Sequence, residues 1–308
     1  MFQIVMLYAL FASTFSLGKA LLSFAQPIFL VGIRMSIAGF ILLAYQYFSQ
    51  SASFRFERKH LSMYVQAILF TCYIPYILRF WGLQYMSSSK ASLIYTLGPF
   101  ITYALGYFLS KEEVTFKKMV GLIIGFFGLM PVLINPTPSE DLMGGIGFFS
   151  WAELSIVLSI SSLSYGWIVV RKFIKDYNYE PAMINGISMF IGGVLALATS
   201  LIYEPQTEII DPLRFTLILG IIIIVSNLIC HNLYGSLLKR YSPTFVSFAS
   251  FLTPLFAAFY GWVFLHEKIS WDFLLSALAV FVGLAIFYQD EFYQKKSSED
   301  RLAELEEL

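Results

Sequence analysis

The chain has 308 residues, of which 58% are apolar and 13% charged, against about 45–50% and about 25% in soluble domains. Lys and Arg number 20 and Asp and Glu 20, so formal net charge is zero, and without a long basic run there is no electrostatic footprint for nucleic acid. Aromatic residues at 18% suit lipid-facing surface and interfacial belts, which points to a bilayer as the solvent.

A membrane-spanning helix needs about 20 mostly apolar residues. In chain order, stretches of that kind fall at 3–21, 28–48, 62–83, 91–109, 117–134, 148–170, 182–203, 215–236, 243–265 and 272–288. The first is read as a retained span, because it lacks a basic leader and a small-x-small cleavage pattern. Polar or turn-forming segments separate the stretches, as at 49–60, 135–145 and 203–208. Cys72 and Cys230 sit in apolar runs in opposite halves, read as buried thiols and not as a disulfide or metal pair. Beyond about residue 289 the chain turns hydrophilic and is expected to be a mobile cytoplasmic tail.

Lysine and arginine test this count. Alternate loops on one side collect Arg55, Arg58, Lys59, Lys111, Lys117, Lys118, Arg171, Lys172, Lys175, Lys239, Arg240, Lys295, Lys296 and Arg301, whereas the other side has Lys90, Arg214 and Lys268. Lys19, Arg34 and Arg79 fall inside stretches. Such an asymmetry predicts ten spans with both termini in the cytoplasm, in an inner membrane.

The chain also repeats itself at an offset of 155. Pro99-Phe-Ile-Thr-Tyr-Ala-Leu-Gly106 recurs as Pro254-Leu-Phe-Ala-Ala-Phe-Tyr-Gly261, Glu112 as Glu267, Phe126 as Phe281 and Gly128 as Gly283. Five spans per copy is an odd number, so the copies must cross in opposite senses. The expected fold is an all-α membrane protein of ten transmembrane helices in two inverted five-helix repeats. The first covers 1–134, a linker 135–147, the second 148–288, and the tail 289–308. Carriers built this way place the substrate between the copies and open alternately to each side.

Several segments resemble the EamA-type members of the drug/metabolite transporter superfamily. In the first copy these are Phe11-Ala-Ser-Thr-Phe-Ser-Leu-Gly-Lys19, Pro27, Arg34, Leu83-Gln-Tyr-Met-Ser-Ser-Ser-Lys90, Leu97-Gly-Pro99, Glu112 and Gly121 to Gly128. In the second they are Tyr241-Ser-Pro-Thr, Pro254, Glu267 and Gly283. The resemblance covers nearly the whole chain and implies export or uptake of small organic solutes. Ser188 stands near the position that matches Arg34, so the arginine is not duplicated.

Candidate site residues come from polarity inside apolar stretches. A charge at mid-bilayer costs at least about 2.5–3.5 kcal/mol and usually faces a cavity or a partner. Arg34 is either a fork for a substrate carboxylate or a structural arginine bonded to carbonyls. Lys19 either snorkels or faces the cavity, and Arg79, beside Trp81 and Tyr85, is expected to snorkel. Glu153 is either an acid held by a helix N-terminus, still wetted, or a counter-charge for a cationic substrate group. His231 is either a proton-carrying group or a hydrogen-bonded packing residue. Hydroxyl-rich stretches predict a cavity lined by Arg34, Tyr95, Tyr165 and Ser250, with Pro75, Pro99 and Pro254 breaking helices. No GxSxG, phosphate-binding loop, carboxylate dyad or metal spacing is present, so neither enzyme chemistry nor a cofactor is expected.

The phenylalanine-, isoleucine- and serine-rich character, with Arg34 and Glu153, is similar to the S-adenosylmethionine carriers of obligate intracellular bacteria within that superfamily. It implies S-adenosylmethionine uptake against S-adenosylhomocysteine. Neutral or aromatic amino-acid export is the alternative within the family, and a non-transporting membrane scaffold the alternative outside it. The expected partners are a small-molecule substrate and the lipid bilayer.

Overall fold

Inside a bilayer every backbone N–H and C=O must be satisfied within the protein, which leaves helices as the economical solution for long apolar runs. The computed structural model describes residues 2–49, 56–110, 116–128, 130–131, 140, 142, 144–146, 149–241, 246, 250, 252–283 and 285–286. Its helices are α1 (Phe2–Leu21), α2 (Pro27–Ser49), α3 (Arg58–Leu83), α4 (88–110, from Ser88–Ile94, a tight turn Tyr95–Leu97 and Gly98–Ser110) and α5 (Phe116–Gly128). They continue with α6 (Trp151–Asp176), α7 (Pro181–Tyr203), α8 (Pro212–Leu238), α9 (Leu252–Leu265) and α10 (Trp271–Gly283). Among the described residues α1, α2, α3, α6, α7 and α8 are long and apolar enough to cross a membrane.

The expectation of an all-α chain needs one correction. Gly145–Ile146 and Phe149–Ser150 form a two-residue antiparallel hairpin, with Gly145 opposite Ser150. The helix expected from 148 therefore starts at Trp151, where Ser150 takes the cap position: its hydroxyl accepts from Glu153 N while the Glu153 carboxylate accepts from Ser150 N. The tail beyond 289 and Glu112 lie outside the described residues.

Two features show how these sequences pack. Helices α2 and α7 run antiparallel in a single register, set by glycines that remove a Cβ at each crossing point. Gly32 meets Leu197, Gly193 meets Ser36, Gly39 meets Phe190 and Gly186 meets Leu43, the number falling on α7 as it rises on α2. The second feature is a widened π segment in α3 at Ile68–Tyr73 and another in α8 starting at Ile223, 155 residues later. Such segments loosen the helix and often mark functional positions. Glu204, just past α7, also caps α2 by accepting from Ile28 N and Phe29 N at 3.0 and 2.8 Å.

Side chains bury in three clusters. One gathers the start of α1 and the end of α6 (Leu7, Tyr8, Trp167, Val170) with Tyr234 of α8. Another gathers Phe15, Leu83, Leu93, Phe100 and Ile156 toward the opposite ends of those helices. Large apolar side chains such as Phe40, Phe48, Leu201, Leu217 and Leu278 face outward, a surface that suits lipid rather than water.

Candidate substrate cavity

A cavity with about 700 Å³ of empty space opens where the first two clusters meet. Helix α1 lines it with Tyr8, Phe11 and Phe15, spaced along one helical face. Helix α3 adds Tyr76 and Arg79, and α8 adds His231 and Tyr234, each pair three residues apart and so adjacent on its helix. Tyr95, Gly98, Pro99 and Thr102 of α4, Ile160, Leu163, Ser164 and Trp167 of α6, and Ser250 and Thr253 complete the wall.

The polar groups of this wall are held in fixed geometry. His231 Nδ1 is 2.9 Å from the Ser226 carbonyl, which can only accept, so Nδ1 carries the hydrogen and donates. In the neutral ring Nε2 then accepts from the Tyr76 hydroxyl at 2.8 Å. Ser159 Oγ donates to the Pro75 carbonyl at 2.7 Å and accepts from Tyr95 at 2.5 Å. The Pro75 carbonyl thus helps tie α3 to α6. Around them sits an aromatic cluster. Trp167 and Tyr234 stack with centroids 4.2 Å apart, and Phe11 meets His231 and Tyr234 edge-on at 5.8 and 6.4 Å.

Arg79 is 5% exposed and lines this cavity instead of snorkelling to the membrane surface. Its Nη2 donates to Thr14 Oγ1 at 2.9 Å, and its guanidinium lies 3.9 Å from the Phe15 ring centroid and 5.3 Å from that of Tyr95. A guanidinium flanked by two rings is held without being pulled to the membrane surface.

Of the residues singled out from sequence, Tyr95, His231 and Ser250 line the cavity, and Ser250 Oγ is buried with no partner among the described residues. Arg34 is not in the lining. It is 1% exposed behind the wall, 4.8 Å from the Tyr76 ring and 5.1 Å from that of Phe80, so it backs a lining residue. Lys19 closes the end of α3 by donating to the Leu83 and Gln84 carbonyls at 2.8 and 3.0 Å, which satisfies two acceptors left over at a helix C-terminus. Glu153, besides its cap, is ion-paired to Lys90 at 2.6 Å and fully buried, so the acid is not wetted. Tyr165 turns to Gln66 Oε1 at 2.5 Å and packs on Phe70, away from the lining.

Position along single stretches does not show that Arg79 and the aromatic faces of α1 and α8 turn into the cavity, yet the repeat carries a signal for them. Tyr76 and His231 are 155 residues apart, and so are Arg79 and Tyr234, Tyr95 and Ser250, and Gly98 and Thr253. All eight line the cavity.

The EamA-like transporter family model matches residues 1–134 and again 150–289. The chain belongs to the EamA-like transporter family. It is therefore a multi-pass membrane transporter acting on a small molecule, not an enzyme. Its relatives in this family include the S-adenosylmethionine/S-adenosylhomocysteine transporter of Chlamydia muridarum, 34% identical over 288 residues, which cover 92% of this chain and 90% of that protein. The transporter of the same description in Chlamydia trachomatis serovar L2 is 33% identical, covering 92% and 88%. A chloroplastic WAT1-related protein of Arabidopsis thaliana is 27% identical over 86% of this chain and 64% of its own length. A solved crystal structure superposes with a TM-score of 0.67 at 16% identity, covering 93% of this chain and 95% of that one, which shows a shared fold.

Proposed function

We propose that the chain exchanges S-adenosylmethionine for S-adenosylhomocysteine across the inner membrane by alternating access. The carrying observation is the near full-length similarity to transporters of that description, at 34% identity over 92% of the chain. The cavity chemistry is compatible with it. Trp167, Tyr234, Phe11 and Tyr76 offer faces on which an adenine stacks and a sulfonium rests by cation–π attraction. Of the polar residues singled out from sequence as cavity groups, Tyr95, His231 and Ser250 are placed to touch such a substrate. Lys19, Arg34, Glu153 and Tyr165 act behind it, by holding helix ends and the wall. Exchange follows from chemistry, because the two solutes differ by one methyl group and one charge, and the cell's methyl transfers convert the first into the second.

The frame we propose is ten spans in two inverted five-helix units, 1–134 and 148–288, with both termini cytoplasmic. Its support is the antiparallel pairing of α2 with α7, the second helices of the two units, and the matched register of their π segments. The lysine and arginine asymmetry supports the orientation.

Competition of radiolabelled S-adenosylmethionine uptake into cells expressing the protein tests the substrate. Saturable uptake inhibited by unlabelled S-adenosylhomocysteine, and not by phenylalanine, is expected. Full inhibition by phenylalanine with none by S-adenosylhomocysteine would move the substrate to aromatic amino acids. Absence of saturable uptake of any candidate solute would point to the scaffold.

A further inference from the structure

We propose that Arg79 is the anion anchor of the cavity: it grips the carboxylate of the substrate's amino-acid end, so that the carrier selects solutes bearing that group. The inference rests on the substrate reading above and adds the residue that reads one end of it. Among the described residues lining the cavity, Arg79 is the one with a fixed charge. No described carboxylate lies within ion-pair distance of it. Of the other buried cations, Lys19 is engaged on two carbonyls and Lys90 on Glu140 and Glu153, while Arg34, whose Nε and Nη2 also have no partner among the described residues, sits behind Tyr76 outside the lining.

The guanidinium keeps N–H groups to give. Thr14 Oγ1 gives its own hydrogen to the Phe11 carbonyl at 2.7 Å, so it can only accept from Arg79 Nη2, and that bond fixes the plane of the fork. Nη2 keeps its second hydrogen, and Nε is buried with no partner. Nε and one terminal nitrogen form the side-on edge with which guanidinium holds a carboxylate through two parallel N–H···O bonds. Phe15 and Tyr95 flank the group, excluding water from around an ion pair that a wet site would weaken. A buried guanidinium without a counter-charge is costly in a membrane, and a carboxylate arriving with the substrate relieves that cost.

The repeat makes this grip one-ended. The position 155 residues after Arg79 is Tyr234, stacked on Trp167. The cavity therefore has a cationic wall on α3 and an aromatic wall on α8. An amino acid attached to an adenine would lie with its carboxylate toward the first and its rings toward the second.

The test compares S-adenosylmethionine with its decarboxylated form, identical except for the missing carboxylate, as competitors for labelled S-adenosylmethionine uptake. In the wild-type protein the carboxylated compound is expected to compete about 10- to 100-fold more tightly, the range for a hydrogen-bonded charge. Arg79→Gln, checked for folded protein by size exclusion, should raise KM by a similar factor and abolish the preference. Arg79→Lys should retain part of it. Wild-type competition that is equal for the two compounds overturns the anchor without any variant. So does a folded Arg79→Gln carrier that keeps the preference, and in both cases S-adenosylmethionine uptake leaves the substrate reading standing. Wild-type protein that takes up no S-adenosylmethionine at all overturns that reading and the inference with it.

Discussion

Lys90 is the residue whose loss should damage the fold most among the buried ions. It starts α4, 5% exposed, with Nζ 2.6 Å from Glu153 Oε1 and 3.0 Å from Glu140 Oε1, and both acids are fully buried. One cation thus holds two carboxylates out of water. Lys90→Met takes away the cation shared by the two acids, and breaking a buried pair in this way costs about 3–5 kcal/mol. Glu140→Gln acts differently. It removes one of the two like charges facing Lys90 and keeps the 2.6 Å pair with Glu153, so it should cost less than Lys90→Met. Glu153→Gln falls between them, since it breaks the shorter ion pair and also weakens the box that starts α6, a contribution of about 1 kcal/mol. Lys90→Met combined with Glu140→Gln should recover part of the loss, because one buried charge remains instead of two. Thermal unfolding of the detergent-solubilised variants, followed by size exclusion, gives the order. The reasoning fails if Glu140→Gln proves as damaging as Lys90→Met, or if the double variant is worse than Lys90→Met alone.

Two further predictions concern contacts between helices. Glu267 accepts from Ser88 N and Oγ at 2.8 Å each and from Ser89 Oγ at 3.0 Å, joining the chain after α9 to the start of α4; Glu267→Ala should cost about 2 kcal/mol in the same unfolding assay, with Glu267→Gln losing less. At the α2–α7 seam a Cβ on Gly39 would fall on the Phe190 backbone, whereas one on Gly220 meets nothing within 4 Å. Gly39→Val should therefore lower the yield of folded protein, by about 1–3 kcal/mol of overpacking, and Gly220→Ala should leave it unchanged or improved.

What the sequence revealed follows from which forces act locally. Apolar stretches were readable because lipid imposes the same demand on every residue of a span, and the stretches at 28–48 and 182–203 lie within α2 and α7 to within a residue or two at each end. Cys72 and Cys230, read as buried thiols, are free and buried. Glu153 was readable as a helix-start acid because its partner Ser150 is three residues away. Lys90 was not readable as an ion-pair centre, because its carboxylates lie 50 and 63 positions further along the chain. Arg79 was misread for a related reason. Its distance from a span end suggested snorkelling, but its direction is set by the rotation of α3, which also turns Tyr76 into the cavity. Hydropathy along a chain carries no information on that rotation, whereas the repeat offset does.

That offset also bears on how the carrier would move. Two points related by a two-fold axis are separated by twice their distance from it, so repeat-equivalent atoms in contact must lie close to the axis. The Tyr76 hydroxyl and His231 Nε2 belong to equivalent positions and are 2.8 Å apart. On the inverted-repeat reading the axis therefore passes beside this bond, through the wall of the cavity. When one unit rocks against the other, displacement is smallest near the axis and grows toward the helix ends, where Lys90 and Glu267 hold the two units together at one end of the bundle. Those end contacts are then the ones that must break and reform, while the Tyr76–His231 bond can persist in both states. On the same reading the frame would keep its symmetry around that point, as the π segments at matched positions suggest, while the lining loses it, with Arg79 against Tyr234 and Tyr95 against Ser250. A symmetric frame lets both gates work by the same motion, and an asymmetric lining lets the site between them hold a substrate whose two ends differ.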